Sequence, residues 1–210
     1  MSDAIEQRSE DWFLLRAGKF TGSRFSDVLA RNKKTSAPLK AYDDLIMQLA
    51  VERFTGQPLE GASGFALQWG ADVEPFARDA YELETGNIVS QAPFIVHPKY
   101  PFVGASPDGL VGSASGLELK CPKDPRVHVL RFIEGMPDEF IPQVQGCMWV
   151  TERETWDFAS YDPRMPESHR LYIQTIKRND AFIKQLEEAV IEANAKVNVL
   201  LKQIMERKAA

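Results

Sequence analysis

The chain has 210 residues, of which 44% are hydrophobic, 26% charged and 10% aromatic, and a formal net charge of −5. That length and composition suit a soluble globular protein with room for a sizeable core, and no apolar run approaches the roughly 18 residues that a membrane span needs. An acidic total argues against a surface coated with positive charge for nucleic acid, but basic residues concentrated in one channel satisfy the same total. Met1 to Glu6 lack the basic and apolar regions of a secretory signal. Cys121 and Cys147 sit in apolar contexts that read as buried thiols rather than a disulfide. The expected setting is cytoplasmic.

Glu10 opens a short helix that Gly18 can end. Ser23 or Thr21 can cap a next helix over 24–30, with Arg16 nearby. Free amides at a helix start, hydroxyls and a guanidinium together suit a phosphate. Taken alone, the pattern fits an ordinary cap and a solvated arginine better. Arg31, Lys33, Lys34 and Lys40 make a basic loop. Periodicity predicts amphipathic helices over 41–54 and 66–84, the second with an apolar stripe of Phe76, Ala77, Ala80 and Tyr81. Pro75 is expected to kink or restart that second helix beside Glu74. An inward glutamate there is either a ligand or an ordinary helix-start carboxylate. Strands are predicted over 88–96 and 100–105.

The next stretch, Ala105 to Pro122, carries the chemistry. Asp108 precedes a turn cluster, Gly112-Ser113-Ala114-Ser115-Gly116, and then Leu117-Glu118-Leu119-Lys120-Cys121 alternates with period two. Alternation puts Glu118 and Lys120 on one face and Leu117, Leu119 and Cys121 on the other, which should be buried. A hairpin about the turn carries Asp108 back across from Glu118. Two carboxylates beside an ammonium can hold a hard divalent cation such as magnesium, which activates water against a phosphodiester, with Lys120 to orient that water or neutralise phosphate charge. A lone Glu-x-Lys on a strand is more often solvated surface; the Pro107-Asp108-Gly109 turn upstream and the segments that follow raise its weight.

Beyond Pro122, residues 128–134 read as a short helix or loop. Residues 140–151 read as an apolar helix or strand carrying Gln143 and Gln145. A buried glutamine is usually a satisfied core amide, but beside a metal it can hold a water or a phosphate oxygen. Residues 155–161 alternate as a central strand and 172–176 as another. A long helix spans 180–207, with Phe182, Leu186, Val190, Ala193 and Val197 at heptad-like spacing. His97, His128 and His169 lack ligand spacing, which argues against zinc.

These segments, taken in order, resemble the lambda-type phage exonucleases, the YqaJ-like viral recombinase family within the PD-(D/E)xK nuclease superfamily. Ser106-Pro107-Asp108-Gly109-Leu110 with Leu117-Glu118-Leu119-Lys120-Cys121-Pro122 matches the central motif. Trp12 to Ser23, Trp69-Gly70 with Glu74, Gln143-Val144-Gln145 with Met148-Trp149-Val150-Thr151, and Tyr161-Asp162-Pro163-Arg164-Met165 match the others. The resemblance implies one α/β nuclease domain over 1–210, with a core over about 10–178. Its restriction-endonuclease-like core is a mixed β-sheet flanked by helices, followed by a long C-terminal helix. It implies 5′→3′ degradation of one strand of double-stranded DNA to 5′-mononucleotides, leaving 3′ overhangs. Asp108, Glu118 and the Leu119 carbonyl would bind Mg2+, with Mn2+ able to substitute. Lys120 would position the water, Glu74 would support a second metal or its waters, and Gln143 would lie on the attacking side. Arg16, with Thr21 and Ser23, would hold the 5′-phosphate. A homotrimeric ring around DNA ends and a single-strand annealing protein as partner are further implications.

Two cysteines cannot ligate an iron–sulfur cluster, which excludes the cluster-bearing 5′-exonucleases. An endonuclease of the same superfamily and a non-catalytic DNA-end-binding recombination scaffold are the alternatives. A scaffold is expected to have lost at least one of Asp108, Glu118 and Lys120, and all three are present.

Overall fold

The structure is a computed structural model that describes residues 7–32, 34–59 and 65–207, with 65–67 as backbone only. The lead from Met1 to Glu6 and Lys33 of the basic loop lie outside the described residues. Two mixed sheets form the frame. The larger has strand order β2-β5-β6-β7-β8, with β2 Val89–Ser90, β5 Gly109–Val111, β6 Ser115–Lys120, β7 Thr155–Tyr161 and β8 Leu171–Lys177. β6 and β7 run parallel, and the other neighbours pair antiparallel. The smaller sheet sets β4 (Val103–Ala105) between β1 (Phe20–Thr21) and β3 (Ile95–Val96).

The strand expected over 88–96 is therefore two short strands in different sheets, and the one expected over 100–105 is only its last three residues. Pro93 and Pro101 withhold the backbone donors that longer ladders need.

Helix α1 is Glu10–Arg16; the Ser9 hydroxyl caps it by accepting from the Trp12 N–H at 3.2 Å, and Gly18 leaves it with φ +71°. The helix expected over 24–30 is a 3₁₀ turn, Gly22–Arg24, followed by a single α-turn, α2 (Phe25–Val28). No hydroxyl caps it; Thr21 Oγ1 accepts instead from the Arg16 guanidinium. The remaining helices are α3 (Lys40–Thr55), α4 (Phe65–Thr85), α5 (Pro125–Glu134), α6 (Ile141–Thr151) and α7 (Asp180–Glu206). Helix α4 continues through Pro75 instead of restarting, since an interior proline costs one helical donor and packing on both sides of it is kept.

Helices cover both faces of the larger sheet. Val73, Ala77 and Tyr81 of α4 pack on Leu117, Leu119, Ala159 and Tyr161. On the other face Trp156 meets a core built from α2, α3, α6 and α7, including Phe25, Leu45, Met148 and Leu186. Gly116 lies beside Trp156 in the ladder, and a Cβ there would stand 2.3 Å from the indole. The buried stripe of α7 is Ile183, Leu186, Val190, Ala193 and Val197, with Ile183 in the place expected for Phe182. Among the described residues no helix is long and apolar enough to cross a membrane.

Candidate functional site

The β5–β6 register pairs Gly109 with Leu117, which sets Asp108 opposite Glu118, as the turn cluster implies. Asp108 Oδ2 accepts from the Leu119 N–H at 2.7 Å. Glu118 and Lys120 share a face, but that face is covered as well as its reverse: Glu118 is 1% exposed, roofed by α6. One carboxylate oxygen, Oε1, accepts from Lys120 Nζ and from Gln143 Nε2, the latter at 2.6 Å. The other, Oε2, is buried without a hydrogen-bond partner. Gln145, two residues on, turns instead to the core, donating to the Lys177 carbonyl at 2.9 Å and accepting from the Asn179 N–H at 2.8 Å. Of the two glutamines on this helix, one is thus turned to the carboxylate of the cleft and the other is a satisfied core amide.

Burial, and then the neighbouring Glu118, hold the Asp108 carboxyl well above the usual carboxylate range; Lys120 opposes them. For Lys120, burial pushes the ammonium down, but Glu118 and Asp108 outweigh it and leave it raised. Cys121 and Cys147 are free thiols on the wall of this cleft. Burial, reinforced by the nearby carboxylates, lifts Cys121 to about 12 and Cys147 well above its usual value, so both stay neutral.

An orphaned, buried carboxylate oxygen is costly unless something cationic completes it. Glu118 Oε2, Asp108 and the Leu119 carbonyl are hard oxygen donors of the kind magnesium accepts, with water and phosphate filling its remaining positions. Among the described residues no three His, Cys, Asp or Glu side chains gather tightly enough to hold a metal by themselves. A site that leaves most positions to water and substrate does not need a third. Glu74 lines the same cleft, but its oxygens are engaged: Oε2 accepts from Arg8 Nη2 at 2.7 Å and Oε1 from Arg78 Nη2 at 3.1 Å.

Across the cleft stands Arg16. Its guanidinium lies 4.1 Å from the centre of the Trp12 ring and donates to Ser106 Oγ at 3.0 Å and Thr21 Oγ1 at 3.4 Å. Burial lowers its pKa to about 10, so it stays cationic at neutral pH. The turn that presents it is gripped by α3: the Gly18 N–H donates to buried Glu52 Oε2 at 2.7 Å, and Arg53 Nε donates to the Gly18 carbonyl at 2.8 Å.

Asp108, Glu118, Leu119, Lys120, Glu74, Gln143, Arg16 and Ser23 all border one cleft of about 510 Å³. Thr21 does not; it lies in an adjoining cavity of about 280 Å³ and braces Arg16 from behind. Sequence reasoning missed Gln7, Arg8 and Arg131 as lining residues, and it placed Trp12 and Ser106 in matched motifs without giving either a part in the site. Ser106 stands next to Pro107-Asp108 and was within reach of inspection; nothing in the pattern marks Arg8 or Arg131.

A hairpin of carboxylates with its lysine thus faces an anchored arginine across one cleft in an α/β frame. The chain belongs to the YqaJ-like viral recombinase family, whose domain matches residues 11–154. It is 36% identical to the alkaline exonuclease LHK-Exo of Laribacter hongkongensis, with a TM-score of 0.85 over 95% of this chain and 97% of that one. A structure of LHK-Exo in complex with dAMP matches equally well, over 93% and 96%. The mixed α/β fold with its long C-terminal helix is the alkaline exonuclease fold. A phage related exonuclease of Haemophilus somnus 129PT shares the fold at 14% identity, TM-score 0.70, over 89% and 96%. The ExoD protein of Escherichia coli (strain K12) is 37% identical over 71 residues, which are 34% of this chain and 80% of that one.

Proposed function

We propose that this protein is a divalent-metal-dependent exonuclease that degrades one strand of double-stranded DNA from its 5′ end, releasing 5′-mononucleotides and leaving 3′ single-stranded overhangs. The observation that carries the reading is the meeting of Asp108, Glu118 and Lys120 in one cleft, with Glu118 Oε2 buried and unpartnered and Arg16 anchored opposite. The 36%-identical relative was crystallised with dAMP, a mononucleotide of the class this reaction releases, which supports it.

Asp108, Glu118 and the Leu119 carbonyl would hold the cation, Mg2+ or in its place Mn2+. When bound, it supplies charge neutralisation at the phosphodiester and Lewis acidity toward water. Lys120, tethered to Glu118, points its donors at the attacking water and at charge developing on the phosphoryl oxygens. Gln143 locks the Glu118 carboxylate and presents an amide on the water side. Glu74 orders water along the opposite wall. Arg16 makes charge-assisted hydrogen bonds to the terminal 5′-phosphate, Ser23 adds a hydroxyl, and Thr21 fixes the guanidinium.

Water attacks the phosphorus between the first and second nucleotides, and the bond to the first nucleotide's 3′-oxygen breaks. That oxygen takes up a proton and the first nucleotide departs with its 5′-phosphate. The shortened strand again begins with a 5′-phosphate, so the product of each turnover is a substrate that Arg16 can hold. Residues 1–210 act as one nuclease domain, assembled as a homotrimeric ring whose basic lining is compatible with an acidic total charge. The overhangs are the natural substrate for a single-strand annealing protein in phage-type recombination.

The test is digestion, with Mg2+, of linear duplex DNA labelled at its 5′ or its 3′ ends, beside covalently closed circles. Early release of the 5′ label as mononucleotide with circles intact is the expected result. Cut circles would make the protein an endonuclease, and tight end binding without cleavage would make it a scaffold.

A further inference from the structure

Arg8 holds a backbone conformation that arginine rarely adopts, φ +72°. Both neighbours are tied down. On one side Gln7 Nε2 donates to the Pro107 carbonyl at 3.0 Å, tying the chain to the residue before Asp108. On the other, Ser9 is fixed as the cap of α1. Backbone outliers of this kind cluster at functional sites. The result is a guanidinium at the cleft that contains Asp108, Glu118 and Lys120.

Its partner there is Glu74, at 2.7 Å, yet Glu74 already accepts from Arg78. The Arg8 side chain stays 53% exposed while that of Glu74 is 16% exposed. A half-exposed ion pair is weak and easily exchanged for another anion, and Glu74 keeps a cation when Arg8 leaves. Packing does not require Arg8, since the side chain is mostly in solvent. It borders the cleft that holds Asp108, Glu118 and Lys120, where a bound strand would enter.

We propose that Arg8 is a DNA-backbone-binding residue, parked on Glu74 in the free protein and transferred to a phosphodiester of the bound strand. This rests on the nuclease reading and adds to it a phosphate contact separate from the terminal one at Arg16. Being a contact to phosphate, it carries no sequence preference.

The test is the salt dependence of binding to a fluorescent 5′-phosphorylated duplex, read by anisotropy in EDTA so that the DNA stays whole. Losing one phosphate contact should lower the slope of log Kd against log salt by about 1, equally for every sequence. Arg8→Ala and Arg8→Gly should both show this loss, and Arg8→Lys should recover the slope. Glycine tolerates the left-handed backbone, so Arg8→Gly keeps the fold intact if alanine does not. An unchanged slope and affinity in Arg8→Gly would overturn the assignment, even with wild-type protein degrading linear DNA normally. A wild-type protein that neither binds nor degrades DNA would overturn the nuclease reading first, and Arg8 with it.

Discussion

On one wall of the cleft Asp108 reaches the Leu119 amide across 11 residues of hairpin; on the other, Arg16 reaches Ser106 across 90 and Arg8 reaches Glu74 across 66. The carboxylate wall is local, set by one turn and one register, and its oxygens are buried and crowded. The arginine wall is assembled from distant segments and held by α3 through Glu52 and Arg53 on the Gly18 peptide. In the proposed reaction the first wall would carry the chemistry and the second would recognise the DNA end. Substitutions should therefore divide into those that stop the reaction and those that change which end is accepted.

The largest effect is expected on the local wall. Glu118→Gln should cut the hydrolysis rate by several kcal/mol, on the order of 10³-fold or more, while duplex binding in EDTA persists. Lys120→Ala should slow single-turnover cleavage by about 10²- to 10³-fold. A near-normal rate would remove it from the chemistry. On the assembled wall, Arg16→Ala should lose about 10- to 100-fold on 5′-phosphorylated ends, the worth of a charged hydrogen bond, and little on 5′-hydroxyl ends.

Glu52→Ala leaves the Gly18 and Leu59 amides without their acceptor. It should cost about 1–3 kcal/mol per stranded group and weaken the preference for phosphate through Arg16. A thermal melt alongside the end-preference assay separates the two.

The smallest effect runs opposite in sign. Asp108 is raised first by burial and then by Glu118, so the folded state favours its protonated form. That stabilisation is present below the unfolded carboxylate pKa and is lost as pH rises through the folded one. In EDTA, Asp108→Asn should therefore melt higher than wild type at neutral pH, by about 2–4 °C per kcal/mol relieved, and the gap should shrink toward acid pH. A variant that melts lower at neutral pH would show that the carboxylate is not under that stress.

How far each wall could be read from the sequence follows the same division. Asp108, Glu118 and Lys120 were legible because a Gly-Ser turn and a period-two alternation dictate their register locally. Gln143 and Gln145 were visible as candidates, but only the rotation of α6 decides that the first meets Glu118 and the second Lys177. Arg16 was visible beside hydroxyls, yet its hydrogen bond to Ser106 joins residues 90 positions apart, which no local pattern announces. Arg8 was invisible, since nothing in Gln7-Arg8-Ser9 announces a left-handed residue or a partner 66 positions away. Residues 140–151 read as helix or strand alike, and only the structure makes them α6, whereas helices α3, α4 and α7 were legible from periodicity. The split of 88–96 between two sheets was not, because Pro93 says where pairing stops and not which strand resumes it.

The division between the walls can be tested in one assay: initial rates of mononucleotide release from matched duplexes bearing 5′-phosphate or 5′-hydroxyl ends, for wild type, Lys120→Ala and Arg16→Ala. Lys120→Ala should slow both substrates by the same factor and keep the wild-type ratio, while Arg16→Ala should collapse that ratio toward one with the 5′-hydroxyl rate nearly unchanged. A ratio preserved in Arg16→Ala, or altered in Lys120→Ala, would contradict the account.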